Sequence, residues 1–308
     1  MKNKSTSKSK TDSNTTALPE EVRPGQSLEL LKELHILTRE GRTNQDTRRK
    51  LKQVYHLYQF IEKILIELSA ERSAVLLADH GAGKSYLGFI LYDLFAKDHP
   101  AVRVYGIESR AELVQKSTEL AQRLGFERMH FVNERVADAT RDSALPGRFD
   151  IVTALHACDT ATDDAIEFGL HKQSQAMVLV PCCQAEVARG LNQSKALSLA
   201  RTPLAELWRH PIHTREVGSQ LTNVMRCLYL EANGYQVTVT ELVGWEHSMK
   251  NELIVARYTG QAKRSAARRL HAIAQEFGIA DIVRQRFARL PWDQLAMAGN
   301  INLQGEIP

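Results

Sequence analysis

The 308-residue chain predicts an α/β fold built on a mostly parallel sheet. Two observations predict it. Through the middle of the chain five short apolar runs alternate with helical patterns, as a parallel sheet with crossover helices requires. Two later runs, 237–243 and 252–258, are joined by a short polar segment and read as an antiparallel hairpin that brings the sheet to seven strands.

Taken in order, residues 1–25 are rich in Lys, Ser and Thr, lack apolar periodicity and read as a disordered basic tail. Residues 26–70 read as a helical N-terminal extension, because Leu51, Val54, Leu57, Tyr58, Ile61, Ile64, Leu65 and Leu68 recur at helical spacing. A catalytic domain is expected over 71–260, with strands at 74–79, 103–108, 130–137, 149–156 and 176–182. Helices are expected near 84–97, 110–124, 161–171 and 216–233. Residues 261–308 read as a basic helical C-terminal extension.

At 43% hydrophobic, the chain can bury one substantial core plus appendages. No run approaches the ~18 apolar residues that cross a bilayer, and the first residues have no apolar signal-peptide segment, so a cytoplasmic protein without membrane contact is expected. Four cysteines, Cys158, Cys182, Cys183 and Cys227, read as free thiols in a reducing compartment. The net charge of +4 gathers toward the ends, at Arg48, Arg49, Lys50 and Lys52 and again at Lys263, Arg264, Arg268 and Arg269. Such clusters can neutralise nucleic-acid phosphates, and they can equally be solvated helix faces. Nothing in the sequence specifies an oligomeric state.

The first strand ends in Asp79-His80-Gly81-Ala82-Gly83-Lys84-Ser85. Glycines there let the backbone turn tightly and meet a nucleotide-like ligand at the start of the next helix. A phosphate-binding P-loop would need glycine at position 78, which is Ala78, and a dinucleotide fingerprint would need a third glycine. A purely structural turn stays open for the loop taken alone. Glu108, closing the second strand, can accept hydrogen bonds from both hydroxyls of a ribose, and Asp138 adds an acid after the third strand. Each acid alone could be a solvated strand end. Three at successive carboxyl ends of parallel strands point to a ligand.

The fourth strand runs into ALHACDTATDDA, with His156, Cys158 and Asp159, and the fifth ends in VPCCQ, with Cys182 and Cys183. Asp163 and Asp164 suit the positive end of the following helix. Together with WEHSMKN, Trp245 to Asn251, and RRKLKQV before the first strand, these motifs resemble a family of bacterial class I methyltransferases over residues 45–260. The resemblance implies a Rossmann-like sheet, S-adenosyl-L-methionine as cofactor, and an adenine amino group facing Asp138. More distantly, the H-x-C-D and CC arrangement is similar to eukaryotic tRNA 2′-O-methyltransferases, which implies RNA modification. The family usually carries D-x-G-x-G-K-G-Y, whereas this chain has Ser85 for the last glycine and His80 in the second position.

A zinc site of His156, Cys158, Cys182 and Cys183 is disfavoured, because no C-x-x-C pair exists, and no metal is expected. Covalent catalysis of the RNA cytosine-C5 kind ranks second, since that chemistry uses a proline-cysteine motif where this chain has Ala157-Cys158. A non-catalytic RNA-binding protein on the same fold is the third reading. The sequence therefore predicts in-line methyl transfer to an RNA. His156, Asp159 and Cys182 would be catalytic, with Asp79, Gly81, Gly83, Glu108 and Asp138 on the cofactor. Cys183, His247, Lys250 and Asn251 would meet the substrate.

Overall fold

A computed structural model describes residues 22–134, 145–155, 157, 159–181, 185–194, 203–242 and 252–298. Its elements, in chain order, begin with α1 (Leu28–Glu33), α2 (Gln45–Glu71), β1 (Val75–His80), α3 (Tyr86–Leu94), β2 (Val102–Glu108), α4 (Ala111–Arg123) and β3 (Met129–Asn133). They continue with β4 (Ile151–Leu155), α5 (Ala161–His171), β5 (Ala176–Val180), α6 (Glu186–Ser194), α7 (Pro211–Ala232), β6 (Tyr235–Glu241), β7 (Glu252–Tyr258), α8 (Arg264–Glu276), α9 (Ala280–Arg286) and α10 (Trp292–Ala298).

The seven strands form one sheet in the order β3-β2-β1-β4-β5-β7-β6. The first five are parallel and the β6–β7 hairpin is antiparallel, as the sequence predicts. This is the Rossmann-like, mostly parallel seven-stranded sheet that the sequence predicts. Strand order reverses between β1 and β4, and sheets of this kind bind ligands outside the carboxyl ends at that switch. β5 is buried at every position, which is why it reads as an unbroken apolar run.

Each face of the sheet is covered by its own core. One packs α1 to α4 with Val75, Leu77, Val104 and Val178; the other packs α5 to α9 with Phe149, Val152, Met177 and Leu179. Helix α6 was not predicted. It is only nine residues long, with Val187, Ala188 and Leu191 buried on one face. It also lies so close to α7 that a side chain on Gly218 would stand 2.8 Å from the Ala188 Cα.

Both extensions are anchored away from the glycine loop. Asn44 caps α2 through a capping box with Thr47, and the helix then runs 27 residues. The segment before it is tied to the far end of α3: the Ser27 N–H donates to Asp93 at 2.9 Å, and Lys97 to the Gly25 carbonyl at 2.6 Å. Val22 already lies in the core and Arg23 stacks over Tyr55, so residues 22–25, read with the tail, pack against the extension. At the other terminus, Lys263 and Arg269 pair with Glu231, at the end of α7 that leads into the start of β6. Among the described residues no helix is long and apolar enough to cross a membrane.

Candidate active site

Between β1 and α3 the backbone turns through left-handed conformations at Gly81 (φ 66°) and Gly83 (φ 59°), which glycine adopts without steric cost. A methyl group added to Gly81 would find Ala157 Cβ at 3.9 Å, and one added to Gly83 would find Arg110 Nη2 at 3.8 Å. The outer face of the loop is therefore open to a ligand. Ser85, the departure from the family pattern, also sits at positive φ (50°), but its side chain is fully buried. Its hydroxyl donates to Asp79 Oδ2 at 3.0 Å, so it points beneath the loop and leaves the open face clear.

Asp79 is directed the same way. Its second carboxylate oxygen accepts from Thr153 at 3.2 Å, and burial pushes its carboxyl up to about 6. Asp79 therefore shapes the loop from below. His80, its neighbour, is fully buried on the opposite face of the sheet beside Phe168, with neither ring nitrogen hydrogen-bonded. Burial pulls its imidazole down to about 3, so it is neutral.

Glu108 reaches over the loop from β2. Its carboxylate accepts from the Gly83 N–H at 2.7 Å, the Arg110 N–H at 3.0 Å and Arg110 Nε at 3.0 Å. Burial alone would raise its carboxyl, yet these donors hold it below the usual range and keep it charged.

On the other side of the switch, beyond the end of β4, the Asp159 backbone is left-handed (φ 51°). The Asp159 carboxylate accepts from the Ala185 and Glu186 N–H groups, at 2.9 and 3.1 Å, and so caps α6. Its own carbonyl accepts from Arg226 Nη2 at 2.8 Å. Arg226 is fully buried and forms a bidentate pair with Asp163, at 2.6 and 3.0 Å. The sequence reading missed Arg226, since it lies mid-helix in α7 with no motif around it. Asp163 had been assigned to the helix end alone.

Asp138, His156, Cys158, Cys182, Cys183, His247, Lys250 and Asn251 lie outside the described residues. Of the sequence-predicted site residues, the structure thus brings together Gly81, Gly83 and Glu108, with Asp79 beneath them, and places Asp159 across the switch. Cys227 is a free thiol that burial pushes up to about 12, far from thiolate chemistry at neutral pH.

Residues 49–190 match the family model described as a methyltransferase domain. That span carries the loop, Glu108 and the β4 and β5 ends. Over 99 residues the chain is 37% identical to the ribosomal RNA small subunit methyltransferase G of Streptococcus pyogenes, 32% of this chain and 40% of that protein. Over 196 residues it is 26% identical to a glutathione S-transferase C-terminal domain-containing protein of Xenopus laevis, 58% of this chain and 30% of that protein. The chain thus spans less than half the length of either curated relative. A solved magnesium protoporphyrin IX methyltransferase from Synechocystis superposes at a TM-score of 0.40 with 13% identity, covering 75% of this chain and 94% of that one.

The sequence resemblance implies S-adenosylmethionine as the cofactor. The residues present fit that cofactor: the glycine backbone is open, and a charged carboxylate stands at the loop's rim with an exposed guanidinium as its main side-chain partner. The hydroxyls of a ribose could take the place of Arg110 on Glu108.

Proposed function

We propose that this protein transfers a methyl group to an RNA, tRNA or rRNA, by direct in-line displacement. The observation that carries the reading is the open Gly81–Gly83 backbone beneath the Glu108 carboxylate at the switch point of a methyltransferase sheet. Support for RNA comes from the similarity to a ribosomal RNA methyltransferase, from the resemblance to tRNA 2′-O-methyltransferases, and from the basic charge.

Bound S-adenosylmethionine supplies a sulfonium methyl, which needs little beyond alignment and exclusion of water. Gly81 and Gly83 receive its nucleoside, Glu108 its ribose and Asp138 its adenine amino group. Cys182 is assigned to the catalytic group, and Cys183, His247, Lys250 and Asn251 to the acceptor, on the sequence motifs. His156 is the base where the acceptor is a hydroxyl. Asp159, whose carboxylate is engaged at the start of α6, is a positioning residue and not that base.

The cations that meet the RNA first stand on the carboxyl side of the sheet, with Lys84 in the loop, Arg110 after β2 and Arg189 on α6, all exposed. The terminal clusters reach it only if the RNA wraps the domain. The test is transfer of labelled methyl from S-adenosylmethionine to total RNA of a strain lacking the gene, with the matching protein and small-molecule fractions in parallel. Label in RNA alone is expected, with binding that weakens with salt at a log–log slope near minus the number of phosphate contacts. Label confined to another fraction would make RNA the wrong substrate class.

A further inference from the structure

Three described points follow or begin strands on the far side of the switch: Asp159 beyond β4, Ala185 and Glu186 beyond β5, and Glu252 at the start of β7. One buried side chain from a helix outside the matched domain joins all three. Arg226 of α7 has no exposed surface, and every nitrogen of its guanidinium is spoken for. Nε and Nη2 hold the Asp163 carboxylate, Nη2 also donates to the Asp159 carbonyl, and Nη1 donates to Asn223 Oδ1 at 3.0 Å. The Asn223 amide in turn donates to Glu252 Oε2 at 2.7 Å, at the first residue of β7. Asp159 passes the connection on through its carboxylate to the N–H groups of Ala185 and Glu186, just beyond β5. Glu186 is itself gripped by Arg286 of α9, at 2.6 and 2.5 Å.

A buried ion pair is a weak source of net stability, because desolvation of both charges offsets their attraction. A hydrophobic pair would hold α5 against α7 as well. What a hydrophobic pair could not do is fix the Asp159 carbonyl in a left-handed, strained backbone position and orient Asn223 toward Glu252 at once. A guanidinium can, since its five donors lie in one rigid plane.

We infer that Arg226 is the positioning residue for methyl transfer: it sets Asp159 beyond β4, the start of α6 and the start of β7 in one geometry around the acceptor. The inference rests on the methyltransferase reading of the site. Arg226 touches neither Glu108 nor the glycine loop, so cofactor affinity should not depend on it.

Arg226→Lys keeps the charge but cannot span Asp163, Asp159 and Asn223 together. With total RNA from the deletion strain as substrate, kcat of the folded variant should fall about tenfold or more, as misplacement of reacting groups costs. The Kd for S-adenosylmethionine should stay within twofold. Hydrogen exchange should quicken together at 157–163, 185–190 and 252–254 and stay unchanged at 79–89. A kcat per folded molecule equal to wild type, or exchange quickened in α5 alone, would make Arg226 merely structural and overturn the inference. Should wild type label no RNA, the substrate reading fails, and the exchange pattern alone decides the case of Arg226. Should Arg226→Lys not fold, Asn223→Ala takes its place, because it frees Glu252 while leaving the Arg226–Asp163 pair intact. Faster exchange at 252–254 with 157–163 unchanged supports the network, and unchanged exchange at 252–254 overturns it.

Discussion

On the β1–β2 side of the carboxyl edge the backbone itself makes the site: two left-handed glycines, an N–H offered to Glu108, and a carboxylate reached across 25 residues. On the β4–β5 side the backbone conformation is held by side chains from elsewhere. Asp159 is strained without being glycine, and it is fixed by Arg226, 67 residues further on, and by the start of α6. The first construction suits a ligand that is always the same, since backbone groups cannot vary with side-chain substitution. The second suits an acceptor that differs between enzymes, because changing a side chain changes the shape of the pocket. It also makes the acceptor side the costlier one to damage.

The largest effect should therefore come from the acceptor side. Arg226→Met leaves the Asp163 carboxylate buried and unpaired, and should lower stability by about 3–5 kcal/mol. Adding Asp163→Leu should recover most of that loss in the same denaturant titration, while Asp159 and Asn223 remain without their guanidinium. If the double variant is no more stable than Arg226→Met, the cost lies in the hydrogen bonds to Asp159 and Asn223 and not in the stranded charge.

On the cofactor side the expected loss is smaller and appears in binding. Glu108→Ala should weaken S-adenosylmethionine by about 1.5–3 kcal/mol, the range for hydrogen bonds to a charged acceptor, without unfolding the domain. Calorimetry on the folded variant measures it. An unaltered Kd would remove Glu108 from the cofactor site.

Beneath the loop, two adjacent residues should respond to pH with opposite signs. His80 sits at about 3 against an ordinary 6.5, so its contribution is complete above pH 6.5 and is lost as pH falls toward 3. Asp79 sits at about 6 against 3.8, so its contribution is complete below pH 3.8 and is lost as pH rises through 6. His80→Leu should flatten the acid limb of the stability curve and, by removing two unpartnered buried nitrogens, raise stability at neutral pH by about 1–2 kcal/mol. Asp79→Asn should flatten the limb between pH 4 and 6 instead. Urea titrations at pH 5, 6 and 7.5 separate the two. If His80→Leu leaves the acid limb unchanged, the imidazole is solvated and not buried.

The same contrast explains what was legible in the sequence. The order of strands and helices follows from apolar runs, and the glycine loop proposed for the cofactor follows from a motif contiguous along the chain, with Glu108 closing the next strand. Asp79 was recognised by position, but its inward direction depends on Ser85 and Thr153, and Thr153 is 74 residues away. Arg226, Asn223 and Glu252 carry no local pattern: a lone arginine in an amphipathic helix looks solvated until the fold closes over it. Asp159 was read as catalytic from the H-x-C-D motif, whereas its carboxylate is engaged by the N–H groups of Ala185 and Glu186, 26 and 27 residues further on, and no local pattern announces that contact.

The smallest effect tests whether the cofactor side is already set for its ligand or must exchange a partner first. Arg110 lies on the surface, with a side chain 59% exposed, and its pairing with Glu108 is of the kind that contributes about 0–1 kcal/mol to stability. Arg110→Ala should accordingly leave the denaturation midpoint almost unmoved. Its effect on cofactor binding depends on which oxygen positions the ribose uses. Arg110 engages both Glu108 oxygens, Nε donating to one at 3.0 Å and Nη2 at 3.3 Å to the one that also accepts from the Gly83 N–H, so two ribose hydroxyls must displace the guanidinium. Removing the guanidinium should then strengthen S-adenosylmethionine binding by up to about fivefold, equivalent to about 1 kcal/mol. It should also raise the apparent pKa at which binding is lost in acid, because Glu108 no longer has Arg110 to hold its carboxyl low. Weaker binding at neutral pH would mean that Arg110 itself contacts the cofactor, and that the loop is complete as it stands.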